Sequence, residues 1–213
     1  MIVTHFGRQH FKIQHGDLVL AFNPVSKESS EKQNKYGADL VLISTDLPDF
    51  NGKENCEQGG RKPFVLNGPG EYEVHNIFIR GFGTFLTLPI SQKNKEKINL
   101  QNTSYLLTID SLKILYLGCF RGELDPLHRE MIDEVDILFL PVSSQGETLD
   151  ASEAHKLATR LEPKMILPMD YDETSLKIFL KEAGQEKIEK VEKLTIKKKD
   201  LESKAGEVVL FSF

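Results

Sequence analysis

The chain is short of cysteine, of long apolar runs and of surplus positive charge, and each shortage closes off a class of function. Its two cysteines, Cys56 and Cys119, stand far apart in 213 residues. That spacing fits a reducing cytoplasm better than a disulfide framework. No apolar stretch approaches the roughly 20 residues that cross a bilayer, so a membrane is not an expected partner. The opening Met1-Ile2-Val3-Thr4-His5 lacks the basic start and long apolar segment of a secretory leader. It reads as a strand, and the expected location is cytoplasmic. A net charge of −5 leaves no basic footprint for nucleic acid.

What remains is ordinary for a globular protein: 39% hydrophobic and 28% charged residues. With no composition shift or linker to divide it, the chain reads as a single domain over 1–213 with one sizeable core. Strands dominate the first half. Met1 to Phe6, Phe11 to Gln14 and Leu18 to Phe22 read as a meander stopped by Asn23-Pro24. Ser26 to Tyr36 is a solvated loop. Ala38 to Ile43 is a buried strand, Asn51 to Arg61 a loop or short helix, and Pro63 to Leu66 another strand. Asn67-Gly68-Pro69-Gly70 is a turn. Glu71 to Val74 and Asn76 to Gly81 form a hairpin, Ser91 to Asn102 a charged surface loop, and 104–109 with 113–117 a second hairpin about Asp110-Ser111.

After Gly118-Cys119 the periodicity changes. Pro126 to Val135 predicts a helix with Leu127, Met131, Ile132 and Val135 on one face. Asp136 to Val142 and Lys164 to Met169 are buried strands. Between them lies a helix over Asp150–Leu161, with Asp150 as N-cap, Glu153 three residues on, and a stripe of Ala154, Leu157, Ala158 and Leu161. Thr174 to Ala183 is a third helix closed by Gly184. Lys187 to Leu201 and Glu207 to Phe213 read as closing strands. The economical architecture is α/β (α+β), a mixed sheet pair with helices outside.

The stretch Ser44-Thr45-Asp46-Leu47-Pro48-Asp49-Phe50-Asn51 leaves the end of a buried strand, where such folds place their chemistry. At this point the chain resembles the metallo-β-lactamase fold, in its branch of small bacterial zinc-dependent hydrolases that includes the ascorbate-phosphate lactonase type. The segments that carry the resemblance are Phe6-Gly7-Arg8-Gln9-His10-Phe11-Lys12-Ile13, Asn23-Pro24, Gly37 to Ile43, Asn67 to Glu73, Val135 to Val142 and Glu162 to Tyr171. The resemblance implies a four-layer αββα sandwich with its site at one edge, between the sheets.

It also implies one or two metal ions, usually zinc, held by a Thr-His-x-His-x-Asp-His loop. To these are added a later histidine, a bridging aspartate in a Gly-Asp turn and a histidine in a Met-His-Tyr turn. Imidazole and carboxylate hold zinc at about 2.0–2.2 Å, and the metal turns water into hydroxide near pH 7. In this chain Thr45, Leu47 and Phe50 stand at the three loop histidines, and only Asp49 matches. The two turns read Gly118-Cys119 and Met169-Asp170-Tyr171. Leucine and phenylalanine ligate nothing, so no metal or other cofactor is expected. The alternative follows from relatives that use a cysteine at the bridging position: one Zn, or Mn or Mg, on Asp49, Cys119 and Asp170.

Thr45, Asp46, Asp49, Cys119, Asp170 and Tyr171 are therefore the residues of a vestigial cleft. In the plainer reading Asp49 caps a turn, Cys119 is a small buried residue and Asp170 bonds a neighbouring loop. His5, His10, His15, His75, His128 and His155 share no ligand spacing and read as packing or surface residues. Lys197-Lys198-Lys199 reads as solvated edge protection. The expected function is a non-catalytic ligand-binding or scaffold protein of bacterial type, a pseudoenzyme with a small molecule as partner. Self-assembly is a further expectation, since lactonase-type relatives often assemble. The alternative is a metal-dependent ester, lactone or phosphodiester hydrolase in which Asp46 or Thr45 assists the ion.

Overall fold

The computed structural model describes residues 1–89, 97–143 and 148–212. Its strands and helices, in chain order, are β1 (Ile2–His5), β2 (Phe11–His15), β3 (Leu18–Phe22), β4 (Leu40–Leu42), β5 (Phe64–Leu66), β6 (Gly70–Val74), β7 (Ile77–Pro89), β8 (Lys97–Ile109), β9 (Leu112–Tyr116), α1 (Pro126–Met131), β10 (Ile137–Pro141), α2 (Ala151–Leu161), β11 (Met165–Met169), α3 (Glu173–Glu182), β12 (Lys190–Val191), β13 (Leu194–Thr195), β14 (Glu207–Val208) and β15 (Leu210–Phe211). One sheet runs in the order β13-β1-β2-β3-β4-β5 and the other β14-β11-β10-β9-β8-β7-β6, while β12 and β15 form a small pair.

Period-two alternation sorts the side chains into layers. Leu20 and Phe22 of β3 join Ile137 and Phe139 of β10 in the core between the sheets. Their neighbours Val19 and Ala21 face the other way, as do Leu138 and Leu140. Aromatic rings lock the two sheets together, with Phe22 against Tyr116 at 4.8 Å and Phe11 edge-on to Phe139 at 4.8 Å. Each such buried ring stabilises the fold by about 1.5–3 kcal/mol relative to exposure. Helices α2 and α3 cover the outer face of the second sheet through Leu157, Ala158 and Phe179. The plan is the αββα sandwich. The outer layer on the first sheet is thin: Tyr36 and Cys56, the latter from a single 3-10 turn at Lys53–Cys56, pack there.

Helix α2 begins where its cap chemistry says. Asp150 accepts from the Glu153 N–H at 2.8 Å and Glu153 accepts from the Asp150 N–H at 3.1 Å, a closed capping box. It ends at Glu162, which turns left-handed (φ 46°) before Pro163.

Several expected elements differ. Helix α1 stops at Met131, and Leu127 and Met131 are exposed, while Ile132 and Val135 reach the core from the segment that follows. Six residues make too short a helix to present a whole apolar face. The expected surface loop over Ser91 to Asn102 is strand from Lys97 onward, because β8 pairs with β7 along its length; residues 91–96 lie outside the described residues. The closing strand expected over Lys187 to Leu201 is two short strands and a 3-10 turn at Lys198–Leu201. Its Lys198 is no solvated guard residue. Its ammonium donates to buried Asp136 at 2.6 Å. The final strand is β14 and β15, and Phe213 lies outside the described residues.

Candidate functional site

Strands β3, β4 and β5 run parallel, as do β9, β10 and β11. Parallel strands bring their C-terminal ends, and the loops leaving them, to one edge. Strand β1 points the same way, because two antiparallel steps separate it from β3. Four loops therefore meet: residues 6–10 after β1, 44–51 after β4, Gly118-Cys119 after β9 and Asp170 after β11.

Arg8 stands at the centre of this meeting point. Its Nε donates to Asp170 Oδ1 at 2.8 Å and one terminal nitrogen donates to Asp49 Oδ2 at 2.7 Å. Its guanidinium also lies over the Phe50 ring, 5.2 Å from the centroid. Gln9 extends the cluster inward, donating to Asp170 Oδ2 at 2.9 Å and to Cys119 Sγ at 3.4 Å. The Gln9 amide oxygen accepts from Asn23, which also donates to Ser44 Oγ at 2.7 Å. Ser29 donates to the second oxygen of Asp49.

The backbone is bent to make this possible. Arg8, Asn23 and Asp170 all hold positive φ, at 46°, 43° and 55°, a conformation that costs about 1–3 kcal/mol in a non-glycine residue and concentrates at functional sites. The bends are fastened by the Asp170 N–H donating to the Arg8 carbonyl at 3.1 Å. His5 Nε2 donates to that same carbonyl at 2.9 Å. Tyr116 fastens the next residue, its hydroxyl donating to the Gln9 carbonyl at 2.7 Å. A rigid frame thus sets where the Arg8 guanidinium points.

Cys119 is buried, and its thiol is pushed up to about 12. Burial is the main cause and the Asp170 charge adds to it, while contacts with Thr45, Gln9 and Arg8 offset part of the rise. A thiol so held is protonated at neutral pH, and the thiolate is the form that ligates metals or attacks electrophiles. Around it Phe50, Leu47 and Leu100 form a small apolar cluster. Two of the three loop positions that the resemblance assigns to histidines thus pack hydrophobically against the cysteine.

The sequence-derived residues divide into groups. Asp49, Cys119 and Asp170 come together through Arg8 and Gln9. Thr45 joins beside Cys119, and its hydroxyl donates to Asn102 Oδ1, which also accepts from the Cys119 N–H at 2.8 Å. Asp46 is exposed and accepts from Asn51 at 2.7 Å. It faces a neighbouring cleft of about 610 Å³ that Thr45 also lines. Tyr171 packs against the helical side of the second sheet, its hydroxyl buried without a partner among the described residues. Asp49 does not cap a turn, as the plainer reading had it. It is the counter-ion of Arg8. The residues that sequence reasoning passed over are Arg8, Gln9, Asn23 and Asn102. Arg8, Gln9 and Asn23 lie in segments that marked the fold, and their polar side chains at strand ends were the available signal.

Among the described residues no group of three or more His, Cys, Asp and Glu side chains is arranged to hold a metal ion.

Comparison with known proteins places this edge in context. The family described as Beta-lactamase superfamily domain matches residues 2–170. A comparison with curated proteins returned no match. Among solved structures, a candidate Zn-dependent hydrolase of the metallo-β-lactamase superfamily from Thermotoga maritima is 22% identical with a TM-score of 0.73, covering 99% of this chain and 97% of that one. A candidate metal-dependent hydrolase from Parabacteroides distasonis is 24% identical with a TM-score of 0.61, covering 85% and 89%. A metallo hydrolase from Ignicoccus hospitalis is 18% identical with a TM-score of 0.57, covering 92% and 99%. At these identities the likeness is one of fold, and the family match over most of the length decides the assignment: the chain belongs to the β-lactamase superfamily and carries the metallo-β-lactamase fold.

Proposed function

We propose that this protein is a metallo-β-lactamase-fold binding protein in which a guanidinium has taken over the position of the family's metal ions. One observation carries the reading: Arg8 spans Asp49 and Asp170, the two carboxylates that a metal would need. An arginine is charged at every accessible pH and its planar fork suits two carboxylates. It neutralises them without a metal and without a water to activate. The donor set does not suit zinc. Its carboxylates are engaged, its cysteine is a buried thiol, and the positions that would supply imidazole hold Leu47 and Phe50.

Metal analysis tests this directly. Protein expressed and purified in the presence of zinc is expected to carry far less than one ion per chain after dialysis. Stoichiometric zinc that disappears in Asp49→Ala would overturn the reading.

The rival is a single-metal hydrolase on Asp49, Cys119 and Asp170, favoured by the shared contacts of these three with Arg8 and Gln9. It predicts metal-dependent turnover of an ester, lactone or phosphodiester, abolished by Cys119→Ser. The expected result is no turnover with added Zn²⁺, Mn²⁺ or Mg²⁺.

A further inference from the structure

We infer that the cleft beside the Arg8 cluster binds a short extended peptide by adding it to the free edge of β5. The inference rests on the binding-protein reading above and names its ligand class.

The cleft has about 610 Å³, within the range of ligand-binding pockets. It opens where β4 and β5 end, and Ile43, Val65 and Leu100 give it an apolar floor. Among the described residues strand β5 is the last of its sheet, with β4 on one side and no strand on the other. Its register with β4 fixes which backbone groups are used. The Phe64 N–H donates to Asp39 and the Leu66 carbonyl accepts from Ile43. In a parallel pair one strand spends alternate residues on its partner, so Phe64 and Leu66 serve β4 and the Val65 amide and carbonyl point outward. Val65 lies within the cleft lining. The outward groups of Val65 supply one donor and one acceptor to which an extended peptide can pair, while Pro63, two residues before it, has no N–H to offer.

The surrounding side chains suit the same ligand. Asn67 and Gln101 line the cleft, and a carboxamide complements a peptide group as both donor and acceptor. Charges of both signs flank it. Lys27 and Lys53 form no salt bridge among the described residues, nor does Glu28. Asp46 commits one oxygen to Asn51. Glu54 is otherwise engaged, accepting from the Ser26 hydroxyl and the Lys27 N–H. Lys27 also acts on Glu54 through its charge, so Lys53 with Glu28 and the second oxygen of Asp46 are the groups that match the two ends of a zwitterion. A neutral sugar would leave both stranded, and a simple anion would meet the acidic side.

Isothermal titration with a panel of free tripeptides, alanine-flanked with a varied central residue, tests the inference. Tripeptides are expected to bind, and the best of them to lose affinity about tenfold or more in Val65→Pro and in Lys53→Glu. Proline at 65 deletes the outward N–H and leaves the β4 ladder intact, since edge strands admit it where the N–H faces away. Lys53 is exposed, so Lys53→Glu decides the matter should Val65→Pro fail to fold. N-acetylation and C-amidation of the best tripeptide are expected to weaken it as well. The inference is overturned if no tripeptide binds, if both variants bind as the parent does, or if the blocked peptide binds equally well. Metal content is read on the same samples. Stoichiometric zinc with tripeptide binding intact would sink the metal-free reading alone, and absence of both would sink this inference alone.

Discussion

At the scale of single residues, the site turns on replacing an ion by a side chain. Asp170 is nearly buried while Arg8 and Asp49 are each about one-third exposed. A carboxylate in that position needs a counter-ion, because an uncompensated buried charge is costly. Arg8→Met removes the charge and keeps most of the stem, so it is expected to lower stability by about 2–4 kcal/mol. The double variant Arg8→Met/Asp170→Asn is expected to recover a large share, since it removes the stranded charge as well. Urea unfolding of the two variants checks this. An Arg8→Met protein with an unchanged midpoint would show that the guanidinium does not hold the cluster. Arg8 could not be assigned this role from the sequence. Its partners lie 41 and 162 residues away, and only the folded strand ends make them neighbours. Asp49, Cys119 and Asp170 were legible, because each follows a readable buried strand and the resemblance named those turns.

Among the elements, β10 shows how a charge can sit within a sheet. Asp136 precedes its first residue and is fully buried. Its carboxylate accepts from the Lys113 N–H of β9 at 2.8 Å, from Lys164 just before β11 at 2.9 Å and from Lys198 at 2.6 Å. Burial by itself works against the ionised form, yet these three partners outweigh it and hold the carboxyl below its ordinary value. One side chain thus ties two strand neighbours and the closing 3-10 turn. Asp136→Ala is expected to cost about 2–4 kcal/mol, with amide exchange rising at Lys113 and in the turn over Lys198–Leu201. A loss confined to β10 would show that the three contacts are independent. The lysine run was misread from the sequence for a definite reason: charge density is visible in a sequence, but the buried acid that receives one of the three lysines is not.

At the scale of the whole molecule, acid sensitivity follows from two histidines packed near the site. Burial lowers His5 to about 4, with the Arg8 carbonyl and the Asp170 charge opposing the shift. Burial lowers His10 to about 3, helped by the nearby charges of His5 and Lys12. His5 stacks flat on Phe11 at 4.0 Å, and His10 bonds the Tyr36 hydroxyl at 2.8 Å. Both rings are neutral in the fold and become charged near pH 6.5 once unfolded. The unfolded chain therefore binds more protons between pH 6.5 and these lowered values, and stability must fall as pH falls through that window. From pH 7 to pH 5 the expected loss is about 2–4 kcal/mol, read as a lower urea midpoint. His10→Gln should flatten the slope. Asp136 adds its own loss only below about pH 4, where the unfolded carboxyl takes up a proton while the folded one, held below its ordinary value, stays ionised.

By itself the sequence determined most of the strands and the helices α2 and α3, and its resemblance to a known fold implied the layering and the edge at which the loops gather. The elements follow from local periodicity and cap chemistry, both of which are written within a few residues. The three-dimensional structure decided what fills that edge. A guanidinium, an amide chain from Gln9 through Asn23 to Ser44, and an open strand margin beside a cleft all depend on groups far apart in the chain. Local sequence does not encode such distances, because it is the packing of one sheet on the other that closes them.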